Sequence, residues 1–245
     1  MRKLALMLAV TLVLAAAGCA RQETALLFWQ RVEDRWEARN DMETYTLEAD
    51  IPAVNDAVDE ANKARAEDMA RLFALAMAQR LEELPDTEGT GAWVLKGEVS
   101  NLDDCFTSVA LVQYTCLPGN AHGAYAIETR TYQAGGTEAL SLSDLFVPGT
   151  DVYRELSRIA YWMLLDSGQL GDYADPQWIS TGTEPTAENF SAFMVRPEGL
   201  EIIFAPYQIG PWALGEQRLT IPWGRLEQWL IPELAEAISA SPGAA

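Results

Sequence analysis

One histidine, a pair of adjacent aspartates and a run of rings near residue 210 carry most of the chemistry this chain could offer. His122 is the sole histidine and lies in Gly119-Asn120-Ala121-His122-Gly123. As a general base it would need a nucleophile and an orienting carboxylate within hydrogen-bond reach. Ser108 and Asp144 are candidates, but nothing in their spacing assembles the three. A turn histidine bonded to its neighbours is the expectation, with Gly119 and Gly123 supplying unusual backbone angles. Asp103-Asp104 could serve acid–base work or calcium, yet no Asp-x-Asp-x-Asp-Gly loop surrounds the pair, which reads as a solvated turn. No catalytic residue is assigned. The segment Pro206-Tyr207-Gln208-Ile209-Gly210-Pro211-Trp212 is rigid and aromatic: Tyr207 or Trp212 could stack a sugar ring, or the rings could seal the edge of the core. The stretch from Ser167 to Glu188 adds Tyr173 and Trp178 among Asp172 and Asp175, the composition of a protein-contact surface. The expected binding residues are His122, Tyr173, Trp178, Tyr207 and Trp212.

The three cysteines divide by position. Met1-Arg2-Lys3 is a basic start, and the apolar run Leu4 to Ala17 is shorter than the roughly 20 residues a bilayer crossing needs. That length suits a secretory signal. Its end, Ala16-Ala17-Gly18-Cys19, resembles a bacterial lipobox. The resemblance implies cleavage before Cys19, diacylation of its thiol and acylation of the new amine. Ala20, in place of Asp, implies transfer to the periplasmic face of the outer membrane in a Gram-negative host. With Cys19 on lipid, Cys105 and Cys116 remain as a pair, for which an oxidising envelope favours a disulfide worth about 3 kcal/mol. Two cysteines and one histidine are too few for a closed zinc site, so neither metal nor cofactor is expected. The pairing conflicts with the pattern around it. Phe106 to Tyr114 reads as a strand, which at about 3.3 Å per residue would hold the two cysteines more than about 30 Å apart. Either that strand is broken or the pair is not joined.

The elements that must position these residues follow from periodicity. Tyr45 to Ile51 alternates as a strand. A long helix follows, with Val54, Val58, Ala61, Arg65, Met69, Leu72, Phe73, Ala76, Met77 and Leu81 at steps of three and four, capped at Asn55 or Asp56 and ended by Pro85. Trp93–Val99, Phe106–Tyr114 and Ala124–Tyr132 read as strands, with a hairpin turn at Gly135-Gly136. A second helix spans Asp151 to Asp166 and closes at Gly168. Residues 167–188 read as a long exposed loop. Strands at Phe190–Val195, Leu200–Phe204 and Leu219–Ile221 precede a last helix, Leu226 to Ile238, interrupted at Pro232. The domain organisation is a signal peptide at 1–18, a lipidated N-terminus and linker at 19–41 that is either strand or stalk, one domain at 42–238, and a tail at 239–245.

Length and charge narrow the function classes. A chain of 245 residues suits one domain, and 49% hydrophobic residues with eight tryptophans exclude disorder. The 36 acidic residues against 17 basic, net −19, exclude nucleic acid as a partner and a polybasic attachment to lipid. The same charge suits either solubility or attraction to a basic partner.

Four separated pieces then carry a resemblance: Gly119-Asn120-Ala121-His122-Gly123, Leu140-Ser141-Leu142-Ser143-Asp144-Leu145-Phe146, the run from Gly199 to Gly210, and Gly215 with Leu219-Thr220-Ile221-Pro222-Trp223. In this order, from about Tyr45 to Leu230, the chain resembles the extracellular C-terminal domain of RsiV, the lysozyme-binding anti-sigma factor. It is similar in the same way to the matching N-terminal region of the peptidoglycan deacetylase PdaC. The resemblance implies a single-domain α+β fold, an antiparallel sheet packed with a long N-terminal helix and a second mid-chain helix. It does not imply an enzyme, because the deacetylase's metal-binding catalytic domain has no counterpart here. The expectation is a lipid-anchored envelope protein that binds a lysozyme-like muramidase or peptidoglycan. The alternatives are a cell-wall hydrolase using His122 and nearby acids, or a structural envelope lipoprotein.

Overall fold

The long helix sets the first half of the molecule. The structure, a computed structural model, describes residues 26–136 and 138–241, so the leader, Cys19 and the end of the tail lie outside the described residues. Helix α1 runs Asp56–Glu83. Asn55 caps it as expected, its Oδ1 accepting the Val58 N–H at 3.1 Å, and acids in the first turn suit the positive end of the helix. The helix ends just before Pro85. Its buried row is Val58, Asn62, Ala66, Met69, Phe73 and Met77, packed on Leu47, Ala49, Ile51, Trp93, Leu95, Val109 and Leu111. Two members of the expected stripe, Ala61 and Leu72, lie off this row and are exposed. One residue off the row rotates a side chain by about 100°, enough to turn Leu72 to water. Asp59 is buried but satisfied: it accepts Trp36 Nε1–H at 2.8 Å and the Val54 N–H at 2.7 Å, tying the helix start to the sheet.

That sheet has six strands in sequence order: β1 Trp29–Val32, β2 Arg35–Asp41, β3 Tyr45–Pro52, β4 Gly91–Leu102, β5 Phe106–Cys116 and β6 Ala124–Gln133. Two expectations are corrected here. The sheet is mixed, because α1 crosses over from β3 to β4 and leaves them parallel; the other pairs are antiparallel. The sheet also begins before residue 42, since β1 and β2 belong to it. Glu67 of α1 accepts the Leu26 and Leu27 N–H groups and seats the start of that segment.

The expected disulfide is absent. Cys105 and Cys116 are free thiols at the two ends of an unbroken β5, and a strand of that length keeps them more than about 30 Å apart. Asp103 and Asp104 form the β4–β5 turn, both left-handed at φ 46° and 52°. Aspartate tolerates that region, so the paired acids are turn residues.

The strand alternation of β5 divides the molecule into two layers. Val109 and Leu111 face α1, whereas Phe106 and Ala110 face a second unit. That unit holds a three-stranded antiparallel sheet of β7 Phe193–Arg196, β8 Gly199–Phe204 and β9 Gln217–Pro222. With it pack α2 Val152–Asp166, α3 Pro176–Gly182 and α4 Pro232–Ala240. Helix α2 matches its expected bounds and buries Val152, Leu156, Ile159, Ala160 and Leu164. The stretch 167–188 is not the expected structureless loop, since it contains α3. The last helix starts at Pro232 rather than Leu226, with proline in its first turn, where a missing N–H costs nothing. Together the layers make one α+β domain. Among the described residues no helix is long and apolar enough to cross a membrane.

Candidate functional site

Four of the five expected binding residues meet on one surface. His122 comes from the β5–β6 connection, Trp178 from α3, and Tyr207 and Trp212 from the β8–β9 connection. The first of these turns is built as expected at Gly119, whose φ is 79°. Gly123 is required for a different reason: the Tyr114 ring lies against it, and a Cβ there would overlap that ring. The His122 imidazole stacks on Trp212, with centroids 4.5 Å apart and planes 25° from parallel. Its Nδ1 lies 2.8 Å from the Gly123 carbonyl, which can only accept, so Nδ1 carries the proton of the neutral ring. Nε2 is then the acceptor that faces the Tyr207 hydroxyl at 3.4 Å.

Tyr207 is held from the other side by α3. Trp178 donates its Nε1–H to the Tyr207 carbonyl at 2.8 Å. Gln208 donates to the carbonyls of Gly182 and Asn189 at 3.1 and 2.9 Å and accepts the Ala205 N–H. Gly182, the last residue of α3, approaches the Gln208 carbonyl so closely that a Cβ could not fit. Clamped this way, Tyr207 keeps a left-handed backbone at φ 73° and leaves 54% of its surface in water. The outcome is a preformed patch of ring faces whose cost of ordering is met in the fold itself. Tyr173 is exposed on the turn before α3 and makes no ring contact with the other four.

The candidates for hydrolysis are not brought together. Ser108 is fully buried, shares a hydrogen bond with Thr131 at 2.8 Å and accepts the Val195 N–H at 2.9 Å. It joins β5 to β7 and is not open to substrate. Thr131, opposite Ser108, is seven residues along β6 from Ala124, so roughly 23 Å of strand separates Ser108 from the turn holding His122. Asp144 caps its own turn by accepting the Ser141 N–H and hydroxyl. Among the described residues no group of three or more His, Cys, Asp or Glu is placed to hold a metal ion.

Sequence reading missed Gln208, the residue that locks the patch, and the helix that carries Trp178. Asp175-Pro176 was the available signal: Asp175 accepts the N–H groups of Gln177 and Trp178, and proline follows at the first helical position. For Gln208 there was no local signal of its link to α3, because the carbonyls to which it donates are 19 and 26 residues away.

Residues 143–224, which include Trp178, Tyr207 and Trp212 but not His122, match the family described as "Protein of unknown function (DUF3298)". The Peptidoglycan-N-acetylmuramic acid deacetylase PdaC of Bacillus subtilis (strain 168) is 29% identical over 185 residues, 74% of this chain and 38% of the deacetylase. The chain thus spans well under half of that relative's length. A crystal structure of a DUF3298 family protein from Pseudomonas aeruginosa PAO1 superposes with a TM-score of 0.60 at 21% identity, covering 85% of this chain and 96% of the other. A member of the same family from Bacteroides fragilis NCTC 9343 gives a TM-score of 0.60 at 15% identity, over 89% and 99% of the two chains. These structures share the fold. The chain is thus similar to PdaC over 74% of its own length, and its residues 143–224 match the DUF3298 family of proteins of unknown function.

Proposed function

We propose that this is a binding protein of a bacterial envelope, tethered through lipid on Cys19 and without an enzymatic step of its own. Its aromatic patch takes a saccharide of peptidoglycan. The observation that carries this reading is Tyr207, an exposed ring kept in a disfavoured backbone conformation by the Trp178 bond to its carbonyl and by the three side-chain bonds of the adjacent Gln208. Such local strain clusters at sites that bind, where surrounding structure over-determines it. Sugar rings present C–H faces that pack on exposed Tyr and Trp, and the polar tips of Tyr207 and His122 suit hydroxyl groups at the rim. The relationship to a deacetylase whose name places its action on peptidoglycan supports the same ligand class.

The test is co-sedimentation of the Cys19→Ser protein, freed of its leader, with purified peptidoglycan. Saturable binding is expected, and Tyr207→Ala should weaken it about tenfold, the equivalent of one lost stacking contact of about 1.4 kcal/mol. Binding to which Tyr207→Ala makes no difference would remove the patch from the reading.

A second reading rests on charge. The net −19 and the resemblance to a lysozyme-binding ectodomain favour a basic muramidase as partner. Titration with hen-type lysozyme at about 0.15 M salt separates specific recognition from charge attraction, because attraction between exposed charges is then largely screened. Micromolar affinity that survives this salt would favour the muramidase.

A further inference from the structure

A second concave site lies on the α2 side of the small sheet, away from the aromatic patch. It is a cavity of about 390 Å³ between the C-terminal end of α2 and strand β9. Trp162 lines it and is 57% exposed, more than Trp178, although an indole in water forfeits a large burial gain. Two charges of opposite sign share the cavity, Asp166 and Arg225. They form no ion pair with each other or with any other described residue. Most of the described arginines behave differently: Arg35, Arg39, Arg65, Arg71, Arg154, Arg158, Arg196 and Arg218 are each paired with a carboxylate.

The wall opposite α2 is backbone. Strand β9 is the edge of its sheet, with only β8 beside it. The Arg218 carbonyl already points out of the sheet, accepting Gln169 Nε2–H at 3.3 Å. Alternation along an edge strand then turns the N–H and C=O of Thr220 to the same side, at the cavity. Pro222 fits this register, since proline in a strand belongs where the missing N–H would face outward.

We infer that this cavity binds a short extended peptide with a free C-terminal carboxylate and an amine. Arg225 takes the carboxylate, since its planar guanidinium matches that group with two parallel N–H donors. Asp166 takes the amine, the outward backbone of Thr220 pairs with the peptide main chain, and Trp162 covers an apolar side chain. Main-chain pairing at a sheet edge with side-chain pockets beside it is a general way in which extended peptides are held. The inference is independent of the aromatic patch and does not rest on the saccharide reading.

The test is calorimetric titration of the Cys19→Ser protein with the tripeptide Lys-Ala-Ala, once with a free carboxylate and once as the C-terminal amide. Saturable binding of the acid is expected, weakened at least tenfold for the amide and at least tenfold by Arg225→Gln. Arg225 is exposed, so the variant should keep the thermal unfolding midpoint of the parent. Asp166→Asn should lower affinity for the tripeptide but not for its N-acetylated form with a neutral side chain. Equal binding of acid and amide, no effect of Arg225→Gln, or no saturable binding of either peptide would overturn the assignment. Because Tyr207→Ala should leave this titration unchanged, failure here and failure of the saccharide reading are distinguishable.

Discussion

At the scale of single residues, Tyr207 sets function against stability. A left-handed backbone costs an L-residue about 1–2 kcal/mol, and glycine adopts it without that cost. Replacing Tyr207 by glycine relieves the strain but gives back part of the gain through the larger entropy of the unfolded chain. Unfolding in urea should therefore show Tyr207→Gly to be as stable as the parent or about 1 kcal/mol more so, while peptidoglycan binding falls with the lost ring. A loss of stability above about 1 kcal/mol would show that the ring serves packing. The aromatic residues were legible in sequence because a Pro/Gly-rich aromatic segment is a local signal. Their meeting with His122, 85 residues away, was not. The cysteines failed for a related reason: counting thiols suggested a pair, and an unbroken strand overruled the count.

Elements were legible where their ends are chemically marked. Asn55 before α1, Pro85 after it and Gly168 after α2 gave bounds that the structure repeats to within a few residues. Partners of elements were less legible, as the parallel pairing of β3 with β4 shows, because a strand's pattern does not state the direction of its neighbour. The contact of α1 with the far edge of the sheet is one such partner, made by Arg65 and Glu128. The bond to Arg65 holds the Glu128 carboxyl below its ordinary value, against burial, which pushes the other way. The folded state therefore binds this proton more weakly than the unfolded chain. The stabilisation is fully present above the unfolded value of about 4.3 and is lost as pH falls through the lower folded value. Glu128→Gln should be less stable than the parent at about pH 7, and the gap should shrink between about pH 5 and pH 3. Urea unfolding of both proteins across that range checks this, and a gap that stays constant would assign the contact no ionic component.

At the scale of the whole molecule, the question is what makes two cores behave as one domain. One core lies between α1 and the six-stranded sheet, and the other holds α2, the small sheet and α4. Between them Ala110, Met194 and Ile203 form a small apolar contact, and Ser108 accepts the Val195 N–H. Beside these lies a charged clasp: Glu98 of β4 and Glu201 of β8 are shared by Arg196 of β7 and Arg218 of β9. Burial disfavours the charge on Arg218, yet its bonds to Glu98 and Glu216 outweigh this and raise its pKa above the usual range. None of this was legible in sequence, since the partners come from strands up to 120 residues apart. Removing one member of a buried ionic group leaves the others uncompensated, whereas removing both signs together costs much less. Glu201→Ala should thus lower stability by about 3 kcal/mol, because Glu201 is the least exposed member and serves both arginines. Adding Arg196→Met to a Glu201→Leu change should cost less than Glu201→Ala alone, as Arg218 keeps Glu98 and Glu216. Chemical unfolding of the three proteins decides the matter. If Glu201→Ala costs under about 1 kcal/mol, the two cores are joined by the apolar contact and Ser108, and the clasp only covers their seam.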